Sequence, residues 1–287
     1  MLVPMGTGRH IMTPKKTISI PDLTNKELSI QISLSGLSFC VFNSYENVIE
    51  SLHDFPFEET VNTPQDLISH LEASFGDVSP DNKPRKLKLI HVNELSAFVP
   101  KSLFSESHLS DYLKYNIKIL ENDFIAYDDI ENSNLVNVYV PYSNVNNFFF
   151  DQFGVFEYRH HSSILVETLL NLSAKSSDAV MYVHVAKSHF EIVVIKNKKL
   201  VLYNSFSYDT PEDFLYYILF TAEQLDLNPE LFQLFFLGNI KDSDACYEIA
   251  YKYVKNIDFF IGSKTNSTPD EVSNEVKRSA FILQNSF

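Results

Sequence analysis

The chain predicts an α/β protein made of two tandem halves of one pattern, each a three-stranded antiparallel meander followed by helix, strand, helix and strand. Three observations carry this. Short runs of apolar residues separated by two-residue polar turns occur twice, at 28–55 and at 179–206. Each meander is followed by the same helix-opening formula, Asn62-Thr63-Pro64-Gln65-Asp66-Leu67 and Asp209-Thr210-Pro211-Glu212-Asp213-Phe214. After each helix comes an apolar strand and then another helical stretch.

In the first half the strands are expected at 28–34, 37–43 and 47–55, with turns at Ser35-Gly36 and Asn43-Ser44. Threonine suits the N-cap of the next helix, proline its first position, and the acid the positive end of the helix dipole. Strand Leu87 to Val92 and a helix at about 102–116 follow. Residues 96–135, with a strand around Asp123 to Tyr127, read as a subdomain inserted into this half. A helix at 162–174 leads to the second half, with strands 179–186, 189–196 and 199–206 and turns at Lys187-Ser188 and Asn197-Lys198. Strand Phe232 to Leu237 and helix 243–255 complete it. The order is ribonuclease H-like, and two copies in tandem form the actin-like architecture, with a cleft between lobes. The expected division is a disordered segment 1–19, a first lobe 20–158, a second lobe 159–262 and a polar tail 263–287.

With 287 residues, 45% of them hydrophobic, the chain has material for sizeable cores. No apolar run approaches the roughly 20 residues of a spanning helix, and the N-terminal MLVPMGTGRHIMTPKK lacks the apolar core of a secretory signal. The two cysteines, Cys40 and Cys246, lie far apart in apolar settings, which favours free thiols and a reducing, cytoplasmic compartment. They make no zinc motif. A net charge of −14 argues against a nucleic-acid partner, and the basic run Lys83 to Lys88 reads as a solubilising loop. Only seven glycines are present, and no Walker loop or dinucleotide fingerprint.

The run "FVPKSLFSESHLSDYLKYN", then "NVYVPYSNVNNFFFDQFGVFEYRHHSSILVETLL", resembles the inserted subdomain and lobe-linking segment of PilM-like pilus assembly proteins and related secretion-platform components. "NSFSYDTPEDFLYYILFTAEQL" resembles an uncharacterised domain-of-unknown-function family of Bacteroidetes proteins in the actin-like ATPase superfamily. This second similarity covers about residues 20–262. It implies the two-lobed fold and carries no known activity, while the pilus-assembly resemblance implies a protein partner or another subunit.

Actin-like ATPases place an Asp-x-Gly pair at the first hairpin of each lobe, where the acids organise magnesium and the glycines admit phosphate to backbone amides. In the first lobe Leu28, Ile30, Ile32 and Leu34 share one face and Ser29, Gln31 and Ser33 the other, with no carboxylate. In the second lobe the equivalent pair is His184 and Ala186. The adenosine-side glycine pair corresponds to Leu237-Gly238-Asn239-Ile240, with one glycine left. Magnesium-dependent ATP turnover is therefore not expected, and neither is a two-metal nuclease. The acidic run Asp128, Asp129 and Glu131 reads as solvated.

His184 has three readings: a buried histidine bonded across the cleft, a ligand contact, or a catalytic base. Metal binding by His160-His161 is set aside, and Lys187 is either solvent-exposed or an anion contact. The candidate cofactor-binding positions are Ser33, Ser35, Gly36, His184, Lys187, Ser188, Gly238 and Asn239, with no catalytic or metal-ligating residue. The cofactor expectation is none, with ATP as the alternative. Phe214, Tyr217, Ile218 and Leu225 form a core stripe at helical spacing, whereas Tyr203, Phe206 and Tyr208 mark a partner surface. The tail from Gly262 is expected to be disordered up to its apolar end, AFILQNSF, which docks on a sheet edge or a neighbouring chain.

The resulting expectation is a noncatalytic, degenerate ATPase working as an interaction or scaffold module, through a protein partner or self-association. The alternative is a non-hydrolysing nucleotide switch using Gly36, Lys187, Gly238 and Asn239. A small-molecule enzyme using His184 with Ser33 or Ser35 lacks any nucleophile or orienting acid adjacent in sequence.

Overall fold

The computed structural model describes residues 22–57, 61, 63–75, 82–115, 117–120, 122–187, 189–262 and 273–287; the expected disordered segment 1–19 and Ser188 lie outside them. The first meander is β1 (Glu27–Ser33), β2 (Gly36–Asn43) and β3 (Val48–Pro56), followed by α1 (Pro64–Phe75) and β4 (Lys86–His91). Thr63 caps α1 by accepting from the Asp66 amide. A separate three-stranded sheet then intervenes, from β5 (Ser96–Pro100), α2 (Leu109–Leu113), β6 (Ala126–Ile130) and β7 (Leu135–Tyr139), in the order β5-β7-β6. The chain returns through α3 (Ser143–Phe153) to β8 (Glu157–His160), completing a sheet of order β3-β2-β1-β4-β8.

Helix α4 (His161–Leu172) follows β8 without a loop and leads to β9 (Val180–Val185), β10 (His189–Lys196) and β11 (Lys199–Ser207). Next come α5 (Pro211–Gln224), β12 (Gln233–Gly238), α6 (Ala245–Tyr253) and β13 (Asn256–Phe259), giving the order β11-β10-β9-β12-β13. The two five-stranded sheets thus have the same topology. At α5 the cap is reciprocal: Thr210 Oγ1 accepts from the Asp213 amide and Asp213 Oδ2 from the Thr210 amide.

One expected element is displaced. The helix predicted at 102–116 is reduced to two 3-10 turns and the five residues of α2, of which only Leu113 is buried. Its place in the repeat belongs to α3, whose buried Val145 and Phe149, flanked by Phe148 and Phe153, pack into the first lobe's core with Leu67 and Leu71 of α1. Helical spacing of apolar residues, not helix propensity, decides between the two segments. The strand expected at 123–127 lies at 126–130, and its alternation turns Asp128 inward, so the expectation that Asp128 is solvated is wrong.

Each sheet has an outer core under its own helix pair. A third core lies between the sheets, joining Cys40, Phe42 and Ile90 of the first to Tyr182, Val193 and Leu237 of the second. Helix α4 fills it with Ile164, Leu165, Val166, Leu169 and Leu170, while its remaining face carries Glu167, paired with Arg159, and the exposed Asn171. The C-terminus joins it there, through α7 (Asn274–Ser279) and α8 (Phe281–Gln284). Phe281, Ile282 and Leu283 are buried, Ser286 Oγ donates to Ser29 Oγ at 2.8 Å, and the Phe287 ring lies 4.8 Å from that of Phe42. The apolar octet therefore docks inside its own chain, not on a sheet edge or a neighbour, and the tail is ordered over 273–287. Burying those three side chains contributes roughly 5–9 kcal/mol before entropy is counted.

The aromatic residues assigned to a partner surface are packed within the chain as well. Phe206 stacks on Tyr217 at 4.5 Å, Tyr208 meets Phe214 at 5.4 Å, and Tyr203 meets Phe98 of β5 at 4.9 Å. Among the described residues no helix is long and apolar enough to cross a membrane.

Candidate functional site

The hairpin of β9 and β10 sets the site. Its antiparallel register pairs His184 with Glu191 and Val185 with Phe190. Alternation sends Met181, Val183, Phe190 and Ile192 into the second lobe's outer core, which leaves Tyr182, His184, His189, Glu191 and Val193 on the face toward the first lobe. Glu191 is completely buried there.

An unpaired carboxylate in that position would cost several kcal/mol, and three imidazoles remove the problem. His184 Nδ1 lies 2.7 Å from Glu191 Oε2, while His161 Nε2 and His189 Nε2 lie 2.8 and 3.1 Å from Oε1. Burial by itself would raise the Glu191 carboxyl, but His184, His161 and His189 together hold it well below the usual carboxylate range. For His189, burial pushes the imidazole down and the Glu191 carboxylate outweighs it, leaving it raised. Since Glu191 only accepts, His184 donates through Nδ1, and its Nε2 is left for the edge of the site.

His161 comes from α4, whose N-terminus is a junction of all three sheets. His160, the last residue of β8, caps α4 by accepting from the Ser162 amide through Nδ1, which also takes the Ser162 hydroxyl at 2.7 Å. Its Nε2 donates to Asn93 Oδ1 at 3.2 Å, and its amide donates to Asp128 Oδ2 at 2.9 Å. Asn137 of β7 donates to both Ser162 and Ser163. Nearby, His91 accepts the Tyr142 amide at Nδ1 and donates from Nε2 to Asn146. Burial holds His91 down at about 4 and His160 well below its ordinary value, so both are neutral. His160 and His161, adjacent in sequence, thus serve opposite sides of the junction.

The other predicted positions fall in two groups. In the first hairpin, Ser33 Oγ bonds Ser35 Oγ at 2.9 Å and donates to the Gly36 carbonyl at 3.1 Å, so this turn satisfies itself. A Cβ on Gly36 would lie 2.8 Å from the Phe55 carbonyl oxygen, so this glycine serves the approach of β3. In the second lobe, His184 and Gly238 are brought together, because Leu237 pairs with His184 and Gly238 with Val185. Gly238, at φ +83°, leaves its missing Cβ 2.3 Å from the Val185 carbonyl oxygen, which also accepts from the Asn239 amide at 2.7 Å. Lys187 is exposed at the hairpin tip.

His184 is buried and hydrogen-bonded, but to a residue of its own sheet; the residue that reaches the cluster from outside that sheet is His161. The sequence singles out neither Glu191 nor His189, and His161 enters it only as a metal ligand that is set aside. A turn at Lys187-Ser188 already implies that 184 faces 191, and that 189 shares the face of 191, so two of the three were within reach. His161, 30 residues before Glu191, has no such local signal. Among the described residues, His161, His189 and Glu191 form the one group of side chains with atoms spaced to hold a metal ion.

Two solved structures share the architecture. A protein of actin-like ATPase fold and unknown function from Bacteroides thetaiotaomicron VPI-5482 is 21% identical, with TM-score 0.74, covering 84% of this chain and 94% of its own. The PilM-PilN type IV pilus biogenesis complex is 12% identical, with TM-score 0.55, covering 92% of this chain and 97% of the other. At these identities they show the fold: two ribonuclease H-like lobes in the actin-like arrangement. No curated protein matches significantly. The family model described as "Protein of unknown function (DUF3822)" matches residues 15–257, and the chain belongs to that family.

Proposed function

We propose that this protein is a noncatalytic member of the actin-like fold, a pseudo-ATPase that works in the cytoplasm as an interaction or scaffold module. The observation that carries the reading is the second-lobe hairpin: where an ATPase of this fold holds a magnesium-organising acid, His184 stands bonded to Glu191. A buried imidazole is a poor ligand for magnesium, which prefers hard oxygen donors. Gly238 supports the same reading, because its open side is spent on Val185 and not on a nucleotide. The first hairpin offers Ser33 and Ser35, whose hydroxyls bond each other. The likeness to the PilM-PilN pilus biogenesis complex favours a protein partner, in an envelope or pilus-like assembly.

Calorimetric titration with ATP and magnesium tests the proposal. No binding and no phosphate release are expected. Micromolar binding with hydrolysis would end it. Binding without hydrolysis would favour the nucleotide switch instead, with the exposed Lys187 as its anion contact.

A further inference from the structure

We propose that His161, His189 and Glu191 form a binding site for one divalent transition-metal ion of the zinc type, joining the lobe-linking helix α4 to the β9–β10 hairpin. Their ligand atoms all lie within 4.8 Å of one another. Ligands about 2.0–2.1 Å from a tetrahedral ion stand about 3.3 Å apart. The contacts of 2.8 and 3.1 Å from Glu191 Oε1 to the two imidazoles therefore need open by only a few tenths of an ångström. Two imidazole nitrogens and one carboxylate oxygen are a zinc donor set that leaves a fourth position for water, and one that magnesium does not favour.

A further observation points to an occupant: the buried Oγ of Ser205, which stands opposite Glu191 on β11, has no partner. A purely hydrogen-bonded cluster leaves this polar atom unexplained. The other Glu191 oxygen is already held by His184 Nδ1, the kind of outer hydrogen bond that orients a ligating carboxylate. Access exists at His189, whose side chain is 16% exposed. The ion would tie the second lobe's sheet to α4 and limit the angle between lobes, independently of any nucleotide.

The test uses the full chain, stripped with a chelator and titrated with zinc(II) alone, then with cobalt(II) to read the d–d bands of a four-coordinate site. One equivalent per chain is expected, with affinity lowered at least about tenfold in His189→Ala and in His161→Ala and unchanged in His53→Ala, an exposed control. Near-UV circular dichroism establishes that each variant is folded. If His161→Ala fails to fold, His189→Ala at the open edge still decides. Absence of stoichiometric uptake by the unaltered chain, or full affinity retained in folded His189→Ala, would overturn the proposal.

Discussion

His184 and Glu191 face each other across β9 and β10 with Nδ1 and Oε2 2.7 Å apart, and the carboxylate is the shared acceptor of three imidazoles. The cluster is held together by one charge. Replacing Glu191 with Gln turns part of an acceptor-only group into a donor facing N–H groups, and should cost about 3 kcal/mol. His184→Ala, which takes one of three donors from the buried Glu191 carboxylate, should cost about 1–3 kcal/mol. Urea unfolding midpoints measure both, and an unchanged midpoint in Glu191→Gln would contradict the assigned role.

The buried neutral histidines make stability depend on acid. His91 has an ordinary value of 6.5 and is held at about 4 in the fold. Its unfolded form therefore takes up a proton first, and stability falls as pH drops from about 6.5 toward 4, by about 3 kcal/mol in all. His160 acts in the same direction. Glu191 contributes above the ordinary carboxylate value and loses that contribution only as pH falls through its depressed one. His189 has the opposite sign: raised by Glu191, it stabilises below 6.5, and that contribution is lost as pH rises through its raised value. Unfolding midpoints between pH 7.5 and 4.5 should show the acid decline, and His91→Asn should flatten it.

The C-terminal segment is part of the core, so it cannot be trimmed without loss. Phe281→Ala should cost roughly 3–5 kcal/mol, as for other buried aromatic residues. Removal of residues 280–287 exposes both inner faces of the interlobe core and should leave a chain that limited proteolysis degrades at α4. A truncated chain with unaltered melting temperature would place the octet outside the core.

Two glycines with nearly the same φ separate strain from collision. Gly154, at φ +82°, has nothing within 4 Å of the point where a Cβ would stand, whereas Gly238, at φ +83°, has the Val185 carbonyl oxygen at 2.3 Å. Gly154→Ala should cost about 1–3 kcal/mol, from backbone strain alone. Gly238→Ala should cost clearly more, because β9 and β12 must separate, and thermal melts of the two variants compare them directly.

Much of this protein is legible in its sequence. The two Thr-Pro caps, the two meanders and the turn at Lys187-Ser188 are local signals, each settled by backbone geometry within a few residues, and together they define two lobes of one order. They also contain, unread, the pairing of His184 with Glu191, since a hairpin's turn dictates its register. Other features depend on what is buried between the lobes. That α3 and not 102–116 completes the first lobe, that Asp128 points inward, that the last octet returns to the interlobe core, and that His161 meets Glu191 all follow from which surfaces exclude water together. Burial is a property of the assembled sheets and carries no fixed spacing along the chain, so these contacts were decided only by the tertiary structure.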